Sequence, residues 1–89
     1  MNKLTDLSVI IISSKKDYLF DCLKTLMPAL KNLASEVILI DNVSVDKIGN
    51  LVKEEYPEVI VLRREENGGF GENNNMGLKI ARGKYILLL

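Results

Sequence analysis

The chain has 89 residues, 47% hydrophobic and 27% charged, with twelve basic residues against twelve acidic ones. A chain of that length buries only a little over ~60% of its unfolded surface, which excludes a second complete domain, and the zero net charge argues against a nucleic-acid or anionic-membrane binder. No histidine is present, so Ser-His-Asp and Cys-His catalysis and histidine-ligated metals are excluded within the chain, and the lone Cys22, unable to close an internal disulfide, fits a reducing compartment.

No segment reaches the ~18 consecutive apolar residues that cross a bilayer. The run Leu7 to Ile12 follows Asp6 and is shorter than a secretory h-region. The expected location is cytoplasmic, with room for membrane association in a larger parent protein.

In chain order, Leu7-Ser8-Val9-Ile10-Ile11-Ile12-Ser13 is an apolar β-branched run that suits a strand covered on both faces. Asp17 is placed to cap the next helix, where Leu19, Cys22, Leu23, Leu26 and Leu30 recur at three- and four-residue spacing. Pro28 lies inside that pattern and should kink or restart the helix. Glu36 to Asp41 is a second strand, followed by a polar turn over Asn42 to Ser44. Asp46 then caps a short helix with Ile48, Leu51 and Val52 on one side, and Tyr56-Pro57 ends it. Glu58 to Arg63 reads as the third strand. A glycine-rich loop over Glu65 to Gly71 leads into a helix carrying Met76, Leu78, Ile80 and Ala81, closed by Gly83 as a C-terminal cap. Lys84 to Leu89 is a fourth strand. The order β-α-β-α-β-α-β predicts a Rossmann-like parallel sheet with right-handed crossovers, helices on both faces and residues 1–89 forming one unit.

Such sheets bind ligands at the carboxyl ends of their strands. Ser13-Ser14-Lys15-Lys16, Asp41 to Ser44 and Arg63 to Phe70 converge there; the plainer reading is that they are ordinary polar loops. Asp41 ends a purely aliphatic run, where its carboxylate can accept hydrogen bonds from a ligand or cap the amides of the next turn. Known glycine fingerprints fail. Ser13 to Lys16 holds no glycine, Gly69-Phe70-Gly71 follows the third strand rather than the first, and no Gly-Lys-Ser/Thr occurs. What remains is a turn before a helix N-terminus, with Asn73-Asn74-Asn75 in its first turns, where poor helix formers point to polar roles. Lys15, Lys16, Arg63, Arg64 and Arg82 could supply phosphate-binding charge, the first two by location above all. Cys22 reads as a small core residue rather than a nucleophile.

Four blocks together resemble the N-terminal part of family 2 glycosyltransferases, of GT-A fold. They are Ser8 to Ser13, Val37 to Asp46, Asn67 to Gly77, and Ala81 to Leu89. Asp41-Asn42, rather than Asp-Asp, is closest to the rhamnosyltransferase-like branch. The resemblance implies strand order 3-2-1-4 and a nucleotide-diphosphate-sugar donor. It implies that Ser13, with Ser14, Lys15 and Asn42 beside it, lines the nucleoside pocket and that Asp41 hydrogen-bonds the base. Asn67, Gly69 and Phe70 fall on the loop beside the nucleotide, and Asn74 with Gly77 on the helix that shapes it. Ser14-Lys15 departs from the family's Tyr-Asn, removing an aromatic platform, and Val45 replaces a frequent Thr.

In the family a metal-binding Asp-x-Asp directly follows the fourth strand, and the catalytic base and acceptor site come later. The chain is accordingly expected to be the nucleotide-binding half of a transferase, without metal ligands or catalytic residues of its own. A divalent ion, Mn or Mg, is expected in the parent enzyme. The alternatives are a non-catalytic nucleotide-binding module and a structural remnant. No nucleic-acid partner is expected. The apolar fourth strand, at an edge, is expected to self-associate.

Overall fold

The computed structural model describes residues 5–13, 15–42, 47–64, 66 and 69–89, and of Phe70 the backbone alone. The elements are β1 (Leu7–Ser13), α1 (Lys16–Ala29), β2 (Ser35–Asn42), α2 (Ile48–Glu55), β3 (Ile60–Arg64), α3 (Phe70–Ile80) and β4 (Tyr85–Leu88). The strands form one four-stranded sheet in the order β3-β2-β1-β4, every pairing parallel. This is the order anticipated above.

The continuous aliphatic runs of β1 and β2 follow from cover on both sides. Successive side chains along a strand point to opposite faces. Val9, Ile11, Val37 and Leu39 pack with Leu19 and Leu23 of α1 and Ile48 and Val52 of α2. Ile10, Ile38 and Ile40 face the other way, against Met76 of α3 and Ala81. Each such side chain fully withdrawn from water contributes roughly 1.5–3 kcal/mol, so these two layers dominate the stability of the sheet. Cys22 is half-buried against the first layer, as a small apolar side chain. Gly77 lies where a Cβ would come within 2.9–3.2 Å of the Ile10 side chain, so its missing side chain lets α3 approach β1.

Three local expectations are corrected. Asp17 does not cap α1; Lys15 occupies the cap position without a side-chain hydrogen bond, and Asp17 sits in the first turn, where its charge still suits the helix dipole. Pro28 neither breaks nor restarts α1, because it falls in the last turn. The helix ends at Ala29 as the Leu30 amide donates to both Leu26 and Met27 carbonyls, at 3.1 and 3.2 Å. Gly83 is not a helix cap, since α3 ends at Ala81 in extended backbone and no described glycine has positive φ. Asp46, the anticipated cap of α2, lies outside the described residues; Lys47, at φ 50°, stands at that position in the left-handed region. Tyr56 does end α2. Among the described residues no helix is long and apolar enough to cross a membrane.

At the amino ends of the strands, Glu36 of β2 is buried and collects four hydrogen bonds. Its Oε2 accepts from the Ser8 hydroxyl at 2.6 Å and the Arg82 backbone N–H at 2.7 Å; its Oε1 accepts from Arg82 Nε and Nη2, each at 3.3 Å. Ser8 Oγ in turn accepts the Gly83 amide at 2.8 Å. The connection from α3 to β4 is thus fastened to both central strands. Arg82 is drawn to this end of the sheet, away from the loops where it was offered as a phosphate ligand.

Candidate functional site

The carboxyl ends of β1, β2 and β3 form a row set by strand register. Ser13 is paired with Asp41, Asp41 with Arg63, and Asn42 with Arg64. Alternation along the strands then sorts the side chains by face. Asp41 follows Val37 and Leu39 onto the α2 side, and Arg63 follows Val61 there. Arg64 follows Ile60 and Leu62 onto the α3 side.

Asp41 is 1% exposed. Its Oδ2 accepts two hydrogen bonds of 3.0 Å, from the Gly49 backbone N–H and from Arg63 Nη1. Gly49 is the second residue of α2, where an amide has no carbonyl four residues back in the helix to bond. The Asp41 carboxylate therefore caps α2 from a neighbouring strand, and its charge suits the positive end of that helix. A Cβ at Gly49 would stand 2.7 Å from Val61 Cγ1 and 3.0 Å from Asp41 Oδ2, so only glycine allows this approach. Of the two roles weighed for Asp41, the geometry displays the capping one, on the Gly49 amide, at the carboxyl end of the parallel strands.

Ser13, half-buried at the end of β1, exchanges hydrogen bonds with Lys15: its hydroxyl donates to the Lys15 carbonyl and accepts from the Lys15 amide, both at 3.2 Å. The Lys15 and Lys16 side chains are exposed. Arg64 is tied to α3, its Nη2 3.2 Å from Glu72 Oε2 and its Nη1 3.0 Å from Met76 Sδ. Gly69 precedes α3 in extended backbone and its carbonyl accepts the Asn73 amide at 3.0 Å. Asn73 and Asn74 are both buried. Ser14, Asn67 and the side chain of Phe70 lie outside the described residues.

The structure thus brings Ser13, Lys15, Asp41, Asn42, Arg63 and Arg64 to one rim, with Gly69 and Asn74 at the start of the α3 segment. Two partners were missed in the sequence. Gly49 was not singled out, and Arg63 was offered only as phosphate-binding charge. A glycine in the first turn of an otherwise good helix was the available signal for the former.

The family resemblance implies a divalent metal, and the described residues do not fit one. Among them no group of three or more Cys, Asp or Glu side chains could hold an ion. Asp41 is engaged by Gly49 and Arg63, and Glu72 by Arg64.

Residues 8–89 match Glycosyl transferase family 2. The chain belongs to that family. Among its relatives, the Poly(ribitol-phosphate) beta-glucosyltransferase of Bacillus spizizenii is 35% identical over 86 residues, covering 91% of this chain and 14% of that protein. Glycosyltransferase GlyG of Streptococcus pneumoniae is 31% identical, over all of this chain and 30% of the relative. The Minor teichoic acid biosynthesis protein GgaB of Bacillus subtilis is 40% identical over 57 residues, 61% of this chain and 6% of the relative. The chain therefore spans under a third of the length of each. In this family 2 glycosyltransferase sequence Asp41 stands at the carboxyl rim of a parallel sheet.

Proposed function

We propose that residues 1–89 are a nucleotide-binding unit for a nucleotide-diphosphate-sugar donor, and that the protein carrying them transfers the sugar to an acceptor. The observation that supports this most is the Ser13–Asp41–Arg63 row at the carboxyl ends of parallel strands, with a buried carboxylate held in place at the ligand end of the sheet. Asp41 would accept an N–H of the base, Ser13 would line the nucleoside, and Lys15 would offer charge near the diphosphate. Ser14, Asn42, Asn67, Gly69, Phe70 and Asn74 would complete the surroundings of the nucleotide. A Mn or Mg ion would be held by ligands elsewhere in the whole protein, which would work in the cytoplasm or at the membrane on its cytoplasmic side.

One relative is named a poly(ribitol-phosphate) beta-glucosyltransferase and another a teichoic acid biosynthesis protein, which favours a glucosyl donor, while Asp41-Asn42 is the feature that resembles the rhamnosyltransferase-like branch. UDP, dTDP and GDP, titrated against the chain with and without Mn²⁺, separate these donors. One of the three is expected to bind, indifferent to Mn²⁺, and Asp41→Ala is expected to weaken it about tenfold or more, the worth of a hydrogen bond to a charged group. Binding of none of them, or titrations unchanged by Asp41→Ala, would sink the reading.

The edge strand carries a second expectation. Tyr85 to Leu88 are all exposed, and among the described strands β4 stands at the edge, paired with β1. Self-association of the isolated chain through this edge is proposed. Light scattering is expected to detect dimers or larger species at high micromolar concentration; a strict monomer there contradicts it.

A further inference from the structure

We propose that Arg63 acts in donor binding as a positioning residue for Asp41, setting the carboxylate that meets the base, and not as a counter-charge for the diphosphate. The proposal rests on the donor reading above. Its observation is the convergence of two donors, Arg63 Nη1 and the Gly49 amide, on the single oxygen Oδ2 of Asp41, each at 3.0 Å. One donor comes from β3 and the other from the first turn of α2, so two separately packed elements hold one atom.

The terminal torsion of an Asp side chain is broad and roughly two-fold. Each donor on the carboxylate narrows the range over which it can swing. Two donors from different directions remove that freedom, and an acceptor already oriented costs a ligand less ordering. The location of the pair supports the same role. Asp41 is 1% exposed and the Arg63 side chain 32%, so their attraction is less screened than that of a surface ion pair. Arg63 shares register and sheet face with Asp41, which aims its guanidinium along the rim at the carboxylate. Lysine would keep the charge there without the planar, pre-organised fork.

The two roles separate when a nucleoside diphosphate is compared with its own uncharged nucleoside. The probes are UDP with uridine, dTDP with thymidine and GDP with guanosine, followed by amide chemical shifts to millimolar concentration. Arg63→Gln is expected to weaken diphosphate and nucleoside by the same factor, about tenfold. Arg63→Lys should recover part of the loss. Adding Arg63→Gln to Asp41→Asn should cost nothing further, because the two residues act as one unit. A loss confined to the diphosphate, or losses that simply add, overturns the proposal while leaving the donor reading intact. A wild-type chain that binds none of the six compounds overturns the donor reading and this proposal with it. Thermal melts of each variant verify folding. If Arg63→Gln fails to fold, the equal or unequal losses of Arg63→Lys on nucleoside and diphosphate decide the matter.

Discussion

Gly83→Ala is expected to destabilise the chain by about 3 kcal/mol or more, above the usual cost of overpacking because the obstacle is backbone. A Cβ at this position would stand 2.5 Å from the Ser8 amide nitrogen, 2.6 Å from Ser8 Oγ and 2.8 Å from the Leu7 carbonyl carbon. β1 is the central partner of both β2 and β4, so it cannot retreat without loosening the sheet. For a domain of this size the loss corresponds to a fall in melting temperature of roughly 12–24 °C. Ser8→Ala removes the hydroxyl but leaves the amide in the way, and the double variant should melt no higher than Gly83→Ala. Gly71→Ala is the control. Nothing lies within 4 Å of its Cβ, and in the first turn of α3 alanine should be neutral or slightly stabilising. Equal melting temperatures for the Gly83 and Gly71 variants would refute the close-approach argument.

The second large effect concerns Glu36 and acid. Burial pushes its carboxyl upward, but the Arg82 backbone amide, the Ser8 hydroxyl and the Arg82 guanidinium outweigh that and hold it below its ordinary value of 4.5. A carboxylate depressed in the folded state adds stability above its unfolded value, and that stability is lost as pH falls through the folded one. Denaturant melts from pH 7 to pH 3 should therefore show wild type more stable than Glu36→Gln at neutral pH, by about 1.5–3 kcal/mol. The gap should begin to narrow as pH falls through about 4.5, the ordinary value, and close only once pH drops below the depressed value of the folded carboxylate. Parallel pH profiles would show that the charge of Glu36 contributes nothing. Arg82→Ala should cost less, within about 1 kcal/mol. Its side chain is 72% exposed, and the backbone amide that makes the 2.7 Å bond survives the substitution.

The contrast between Glu36 and Asp41 shows what could be read in advance. Both carboxylates flank the aliphatic run of β2, one at each end, and the sequence drew attention only to Asp41. An acidic residue after a buried parallel strand stands where such sheets bind ligands, so its location follows from element order. The role of Glu36 depends on Ser8, 28 residues away, and Arg82, 46 residues away. No local pattern encodes that meeting. Gly83 was misread for the same reason. A glycine shortly after a helix resembles a left-handed cap, whereas here it is required by the passage of β4 against Ser8.

The strand order β3-β2-β1-β4 was implied by the family resemblance; by itself the sequence determined the number, kind and order of elements, their parallel pairing and the rim at which Asp41 stands. Those properties rest on hydrophobic periodicity and on the right-handedness of crossovers, both of which act locally and repeat along the chain. Tertiary structure alone decided which charges meet. It took Arg82 to the opposite end of the sheet, set Arg63 against Asp41, and put the amide of Gly49 on the same oxygen. A hydrogen bond is made or lost within a few tenths of an ångström, and positions that fine are settled only when the register of neighbouring strands and the close approach of helices are in place.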